Sequence, residues 1–187
     1  MIFYFSATGN SRYVAQRVAA MTREEVVSIA ECIKKQRFRF VADGCPIGIV
    51  SPAYAWGLPS IVRDFLRQLS LDGKPSYLWY AATYGSTPGQ PGRFANEIMG
   101  EKGLAFDAYF GVKMPDTWTP IFDLSDKEKV DRINQDAERE IDFLVEGVES
   151  RATGDFMRRK VPALAAGSVR ENALSPPSRF AIQSLFG

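Results

Sequence analysis

The sequence has no histidine and only two cysteines, Cys32 and Cys45. Without histidine, the chain cannot build the Ser-His-Asp or Cys-His arrangements that activate a nucleophile. Two cysteines cannot hold a four-cysteine iron–sulfur cluster, and without histidine they also argue against a zinc site. They show no Cys-x-x-Cys spacing, so we expect both to be buried free thiols.

The sequence also lacks a long apolar segment and a strong net charge. No uninterrupted apolar run approaches the roughly 20 residues of a membrane span, and no basic leader precedes an apolar segment at the amino terminus. The formal net charge is +1, which argues against nucleic acid as the main partner because such binding depends on neutralising phosphates. We therefore expect a cytoplasmic protein that binds neither membrane nor nucleic acid.

The chain has 187 residues, which is enough for one well-buried core and short for two. Its charge is unevenly distributed. Residues 1–150 carry 17 Lys and Arg against 20 Asp and Glu, a net of −3, whereas residues 151–187 carry 6 against 2, a net of +4. We predict one domain over residues 1–150 and a basic C-terminal extension over residues 151–187.

One short polar stretch, Ser6-Ala7-Thr8-Gly9-Asn10-Ser11, lies between a predicted strand and a predicted helix. The apolar run of residues 1–5 before it is typical of a strand buried on both faces, and helical spacing of apolar residues begins at Tyr13. Gly9 permits a tight turn, and the first amides of the helix would point at an anion with the helix dipole behind them. The stretch has no lysine, unlike a nucleotide-triphosphate loop, so it suits a phosphomonoester. The alternative is a strand-to-helix turn with a good N-cap.

Strand-like runs and helical patterns alternate along the predicted domain. The alternation predicts an α/β fold with a five-stranded parallel sheet and helices on both faces. A polar connection is predicted around residues 34–39, and the last helix is predicted to begin at Ser125 as N-cap with Glu128 three residues on. The predicted strands cover residues 1–5, 25–30, 45–50, 77–82 and 104–114. The first predicted helix follows residues 6–11 and ends at Met21, and the other helices cover residues 59–69, 90–102 and 125–149.

Three loops follow the first, third and fourth predicted strands, and all three are rich in small, hydroxylic and aromatic residues. In a doubly wound sheet, ligands bind at the carboxyl ends of the strands, where the strand order reverses. The second of these loops is Ser51-Pro52-Ala53-Tyr54-Ala55-Trp56-Gly57-Leu58-Pro59, and the third begins Thr83-Tyr84-Gly85. The three loops are therefore expected to form one binding site.

The sequence resembles the flavodoxin superfamily at these loops. Residues 6–11 are similar to its phosphate loop, Thr/Ser-x-Thr-Gly-x-Thr/Ser. More narrowly, the first eleven residues, residues 51–59 and the Lys-Met-Pro of residues 113–115 resemble the flavodoxin half of bacterial flavodoxin–ferredoxin fusion proteins, without the ferredoxin half. The resemblance implies a three-layer, doubly wound sheet of order 2-1-3-4-5. Pro115 is followed by Asp116-Thr117-Trp118, where relatives tend to have Asn-Tyr, so the outer edge of the site is expected to differ.

The resemblance also implies FMN as the cofactor. Residues of the first loop would hold the phosphate, the second loop would line the flavin ring, and the third would face its pyrimidine edge. The implied cofactor-binding residues are Ser6, Ala7, Thr8, Gly9, Asn10, Ser11, Pro52, Ala53, Tyr54, Ala55, Trp56, Gly57, Thr83, Tyr84 and Gly85.

Several side chains in and near these loops have two interpretations. Tyr54 and Trp56 are candidates to cover the flavin ring, or they pack for area alone. Trp118 would cover the flavin or a substrate, or simply pack. Arg12 would pair with the phosphate or remain solvated. The small residues of Ala55-Trp56-Gly57 would allow a peptide next to the flavin to flip.

The favoured function is an electron carrier whose FMN is reduced by one partner protein and oxidised by another, with no catalytic acid–base residue. The alternative is an FMN-dependent NAD(P)H oxidoreductase of the quinone or flavin reductase type, which the near-neutral charge favours. A third hypothesis is a flavin-free binding module. The expected partner is a redox protein such as a ferredoxin or another iron–sulfur protein, and the chain is expected to be a monomer or a homodimer. The basic run Arg158-Arg159-Lys160 would dock an acidic partner, or it is simply solvated.

Overall fold

A computed structural model describes residues 1–115 and 127–157 of the chain. Strands and helices alternate along most of this length. The strands are β1 (Ile2–Tyr4), β2 (Val26–Ser28), β3 (Arg39–Val41), β4 (Pro46–Pro52), β5 (Ser70–Asp72), β6 (Tyr77–Tyr84), β7 (Ala108–Lys113) and β8 (Gly154–Asp155). The helices are α1 (Asn10–Thr22), α2 (Ile29–Lys34), α3 (Ser60–Gln68), α4 (Pro91–Gly100) and α5 (Lys127–Glu149).

Six strands form one parallel sheet in the order β2-β1-β4-β6-β7-β8. The five strands predicted from the sequence are all present, and their order in space corresponds to the predicted 2-1-3-4-5. The prediction of exactly five strands was wrong, because the two-residue strand β8 extends the sheet beyond β7. It lies past the end of the predicted domain and is too short to leave an apolar pattern in the sequence.

The sheet is buried on both faces, and successive residues of a strand enter opposite cores. Phe3, Ile49 and Tyr80 belong to the core under α2, α3 and α4. Their neighbours Ile2 and Trp79 belong to the core under α1 and α5. All eight residues of β6 are buried. The molecule therefore has the three layers that the sequence predicted, with continuous apolar strands at its centre.

Three stretches differ from the predicted boundaries. Residues 25–30 were predicted as one strand, but β2 ends at Ser28. The Ser28 hydroxyl accepts a hydrogen bond from the Glu31 amide and caps α2. The predicted polar connection of residues 34–39 leads into β3, which pairs with β5 in a separate two-stranded parallel sheet. The fifth predicted strand begins at Ala108 rather than at residue 104.

The prediction that both cysteines are buried was wrong for one of them. Cys32 is buried in the core under α2, whereas Cys45 is exposed in the turn before β4. The predictions for Ser125, Trp118 and the basic run of residues 158–160 lie outside the described residues. None of the helices in residues 1–115 and 127–157 combines the length and the apolar character of a membrane span.

Candidate functional site

A cleft of about 420 Å³ opens at the carboxyl ends of β1, β4 and β6, where the strand order reverses. All of the predicted cofactor-binding residues line it except Gly9, Trp56 and Gly57. The structure thus brings the three predicted loops together at one edge of the sheet. The lining residues are Ser6, Ala7, Thr8, Asn10, Ser11, Pro52, Ala53, Tyr54, Ala55, Thr83, Tyr84, Gly85 and Pro115.

The first wall of the cleft is the turn between β1 and α1. The Gly9 amide donates to the Ser6 hydroxyl at 3.0 Å, and Gly9 itself has φ 108° and ψ −28°, a region that favours glycine. The first helical bond runs from the Tyr13 amide to the Gly9 carbonyl at 2.9 Å. The amides of residues 10–12 precede that bond and have no acceptor within the helix. This end of α1 therefore presents backbone donors and the positive end of the helix dipole.

The floor of the cleft is a pair of buried hydroxyls. Ser11, in the first turn of α1, and Thr83, near the end of β6, lie 2.7 Å apart through Oγ and Oγ1. The two residues are 1% and 3% exposed. The pair joins the first and third loops, so Thr83 lies against the first wall of the cleft as well as in the third loop, which the family resemblance places at the pyrimidine edge of a flavin.

The N-terminal end of α1 is hydrogen-bonded to the segment that follows β7. The Asn10 side-chain amide donates to the Pro115 carbonyl at 3.0 Å, and Pro115 lines the cleft. Pro115 was not among the predicted site residues. Its position as the last residue of the Lys-Met-Pro segment was the signal that could have identified it.

The second wall is a tight turn of residues 54–57 after β4. Tyr54 and Gly57 exchange backbone hydrogen bonds of 3.1 and 2.9 Å, and the two residues between them, Ala55 and Trp56, have φ of 47° and 62°. Positive φ at both central positions is the geometry of a type I′ turn, which glycine and asparagine usually occupy. Non-glycine residues therefore hold a strained backbone at the edge of the cleft.

The loop after β6 supports this turn from outside the cleft. The Gln90 amide donates to the Trp56 carbonyl at 2.9 Å, and the Trp56 indole N–H donates to the Thr87 hydroxyl at 2.9 Å. Trp56 consequently lies beside the cleft rather than in its lining. Tyr54 does line it, 48% exposed, with its ring edge-on to Phe5 at 6.4 Å. Partial burial raises the pKa of the Tyr54 phenol, which is therefore neutral at physiological pH.

No charged side chain is among the described residues that line the cleft. Arg12, the predicted alternative partner for a phosphate, is exposed and is not part of the lining. An anion bound here would therefore be held by backbone amides, hydroxyls and the helix dipole rather than by an ion pair with a lining residue.

The family model described as "Flavodoxin domain" matches residues 1–143. The chain belongs to this flavodoxin domain family. Members of the family typically bind flavin. The solved structure of the Trp repressor binding protein from Bacillus subtilis is similar to the chain at 13% identity and a TM-score of 0.41, covering 72% of this chain and 97% of that one. No curated protein matches the chain.

The cleft of this flavodoxin domain can be tested for its fit to a flavin mononucleotide. Its volume falls within the roughly 300–1,000 Å³ of cofactor and small-molecule pockets. One end offers helix amides and hydroxyls, which suit a phosphate group, and the other offers the Tyr54 ring and the small residues Ala53, Ala55 and Gly85, which suit a flat ring. The residues present therefore fit the group that the family typically binds.

Proposed function

We propose that this chain binds FMN in the cleft and serves as an electron carrier between redox partners. The observation that carries the proposal is the composition of one continuous cleft, in which a helix N-terminus with buried hydroxyls lies at one end and an aromatic ring with small residues at the other. Phosphate and isoalloxazine ring need these two environments side by side.

Each wall of the cleft has a role in this proposal. The amides of residues 10–12 and the hydroxyls of Ser6, Thr8 and Ser11 would hold the phosphate. Tyr54 would contact the ring from one side and limit its access to water, and Tyr84 and Gly85 would face its edge. FMN, when bound, supplies the one-electron and two-electron redox chemistry that the side chains themselves lack.

The side chains of the cleft favour a carrier over an acid–base catalyst. Among the described lining residues there is no histidine, carboxylate or lysine, and the pKa of Tyr54 is raised by burial. The described lining residues therefore include no side chain that would gain or lose a proton near neutral pH, as a general acid or base must. The chain would therefore act by binding the flavin, orienting it and setting its access to water and to partners.

Anaerobic reduction tests the carrier proposal. Purified protein is loaded with FMN, then NADPH and NADH are added in turn while the flavin absorption band is followed, with dithionite as the control reductant. We expect dithionite alone to bleach the band rapidly. Rapid bleaching by either nicotinamide nucleotide would overturn the carrier proposal.

That second outcome would support an FMN-dependent NAD(P)H oxidoreductase, with a quinone or flavin as acceptor. The formal net charge of +1 favours this alternative, because dedicated flavin carriers commonly use a strong acidic charge to dock their partners. For the carrier, we propose a ferredoxin or another iron–sulfur protein as the redox partner.

A further inference from the structure

The buried hydroxyl pair at the floor of the cleft has one more proton than it has hydrogen bonds. Each hydroxyl carries one donor hydrogen and two acceptor lone pairs. Ser11 and Thr83 share one bond of 2.7 Å, which uses one of their two hydrogens. Within residues 1–115 and 127–157, neither hydroxyl oxygen has a second partner. One buried O–H group is therefore left to donate, and both residues line the cleft.

A second buried hydroxyl pair, between β4 and β6, shows the contrast. Ser51 and Tyr80 also share a bond of 2.7 Å, and both are fully buried. There the Ser51 hydroxyl also reaches the Pro52 carbonyl at 3.4 Å, so the remaining proton has an acceptor in the chain. Neither residue lines the cleft. The unmatched donor is thus specific to the pair that faces the binding site.

The position of Ser11 decides which hydroxyl faces the ligand. Ser11 is in the first turn of α1, so its hydroxyl is on the same turn as the amides that precede the first helical bond. An oxyanion held by those amides would be next to Ser11, whereas Thr83 is on β6. With an oxyanion at that position, Ser11 would donate to the anion and Thr83 would donate to Ser11, a direction that the 2.7 Å bond allows.

We propose that Thr83 is a positioning residue that directs the Ser11 proton at a phosphate oxygen of the ligand and so makes the site selective for the phosphorylated flavin over riboflavin. This inference rests on the proposed function and deepens it. A chain of two hydroxyl bonds polarises its last donor, and a bond to a charged acceptor is stronger than one between neutral groups. It assigns Thr83 to the phosphate end of the cleft rather than to the pyrimidine edge.

The test compares FMN and riboflavin affinities of four variants by fluorescence titration. Thr83→Val keeps the β-branched shape and removes the hydroxyl, Thr83→Ser restores the hydroxyl, Ser11→Ala removes the proposed ligand donor, and Tyr80→Phe removes a hydroxyl from the control pair. We expect Thr83→Val and Ser11→Ala each to weaken FMN binding by about tenfold or more and to leave riboflavin binding unchanged. Thr83→Ser and Tyr80→Phe should bind FMN as the unaltered chain does.

The double variant Ser11→Ala/Thr83→Val gives the coupling between the two residues. Because Thr83 is proposed to act through Ser11, the double variant should lose no more FMN affinity than Ser11→Ala alone. Additive losses would overturn the inference, as would equal losses for FMN and riboflavin, which would place Thr83 at the ring. Retained FMN affinity in Thr83→Val would also overturn it.

Inorganic phosphate separates this inference from the proposed function. If the unaltered chain binds no FMN, the proposed function fails. The hydroxyl pair is still tested by adding inorganic phosphate and following the backbone amide signal of Ser11 by NMR. We expect added phosphate to shift the Ser11 amide signal in the unaltered chain and in Tyr80→Phe at the same phosphate concentrations. Thr83→Val should bind phosphate about tenfold more weakly. Equal phosphate binding in all three proteins, or in none, would overturn the assignment of Thr83.

Discussion

Gly9 is the residue on which the start of α1 depends, and its role comes from the backbone alone. Its φ of 108° lies where a side chain is strained, yet a Cβ added there would meet no atom within 4 Å. Gly100 offers a matched control, since a Cβ there also meets nothing and its φ is not in the positive range. The two positions differ in backbone conformation rather than in available space.

We expect Gly9→Ala to destabilise the protein by about 1–3 kcal/mol through backbone strain and to weaken FMN binding. Gly100→Ala, at the end of α4, should be neutral or stabilising by up to about 1 kcal/mol. Urea denaturation gives both free energies of unfolding, and a flavin titration gives the affinities. If Gly9→Ala were as stable as Gly100→Ala and bound FMN normally, the turn would not need its present backbone conformation.

The two aromatic residues of the second loop differ in their position relative to the cleft. Tyr54 lines it, whereas the Trp56 indole is bonded to Thr87 beside it. We therefore expect Tyr54→Ala to weaken FMN and riboflavin by the same factor, about tenfold, because a ring contact is lost in both. Trp56→Phe should change either affinity by less than about threefold. A larger loss from Trp56→Phe in a titration would contradict this expectation.

At the scale of elements, the turn of residues 54–57 depends on the loop that packs against it. A Cβ on Gly89 would lie 2.3 Å from the Trp56 carbonyl oxygen and 2.4 Å from its Cα. Both of these are backbone atoms, so the clash cannot be relieved by moving a flexible side chain. The close approach requires glycine, and it holds a turn whose two central residues are strained.

Gly89→Ala is expected to displace the turn and lower the affinity for FMN. Gly44→Ala is the matched control, because Gly44 has a similar φ of 68° but open space around it, against 64° at Gly89. Both variants carry the strain of a left-handed alanine, about 1–2 kcal/mol, and only Gly89→Ala adds a steric cost of about 1–3 kcal/mol. Thermal and urea denaturation compare them. Equal stability and equal FMN affinity in the two variants would contradict the supporting role of the loop.

The main elements were predictable because their patterns are local. The continuous apolar runs of β4 and β6 indicate strands buried on both faces, and the helical spacing in α1 and α5 follows from one buried face. The short pair β3 and β5 was not predictable, because its pairing depends on contacts between distant segments. The boundary at Ser28 was missed because an apolar run is shared between a strand and a helix.

The grouping of the three loops around one cleft was predictable to the same degree. The loops were identified because small and hydroxylic residues follow three apolar runs, and parallel strands bring their ends together. The bond between Ser11 and Thr83 joins residues 72 positions apart, so no local pattern indicates it. The position of Trp56 beside the cleft depends in the same way on Thr87.

At the scale of the whole molecule, the uneven charge of the chain leads to a prediction about partners. Residues 151–187 carry 6 basic against 2 acidic residues, and they include the run Arg158-Arg159-Lys160. If this run docks an acidic ferredoxin, reversing its three charges to glutamate should leave FMN affinity unchanged and slow electron transfer with ferredoxin at low salt. Stopped-flow mixing measures the rate.

A control for that experiment reverses three exposed charges elsewhere, at Lys34, Lys35 and Arg67. These residues lie on α2, just after it, and on α3, and the control makes the same change in net charge. A rate that fell equally in both triple variants would mean that the total charge matters and that the basic run does not dock the partner.

The most direct test of the central claim is isothermal titration calorimetry of FMN and riboflavin into the purified chain after removal of any bound flavin. The claim predicts one FMN bound per chain, at least about tenfold tighter than riboflavin, because the amides and hydroxyls of the first loop act on the phosphate. Binding of FMN no tighter than riboflavin would contradict the phosphate-site assignment. The absence of binding by both would contradict the proposed flavin function itself.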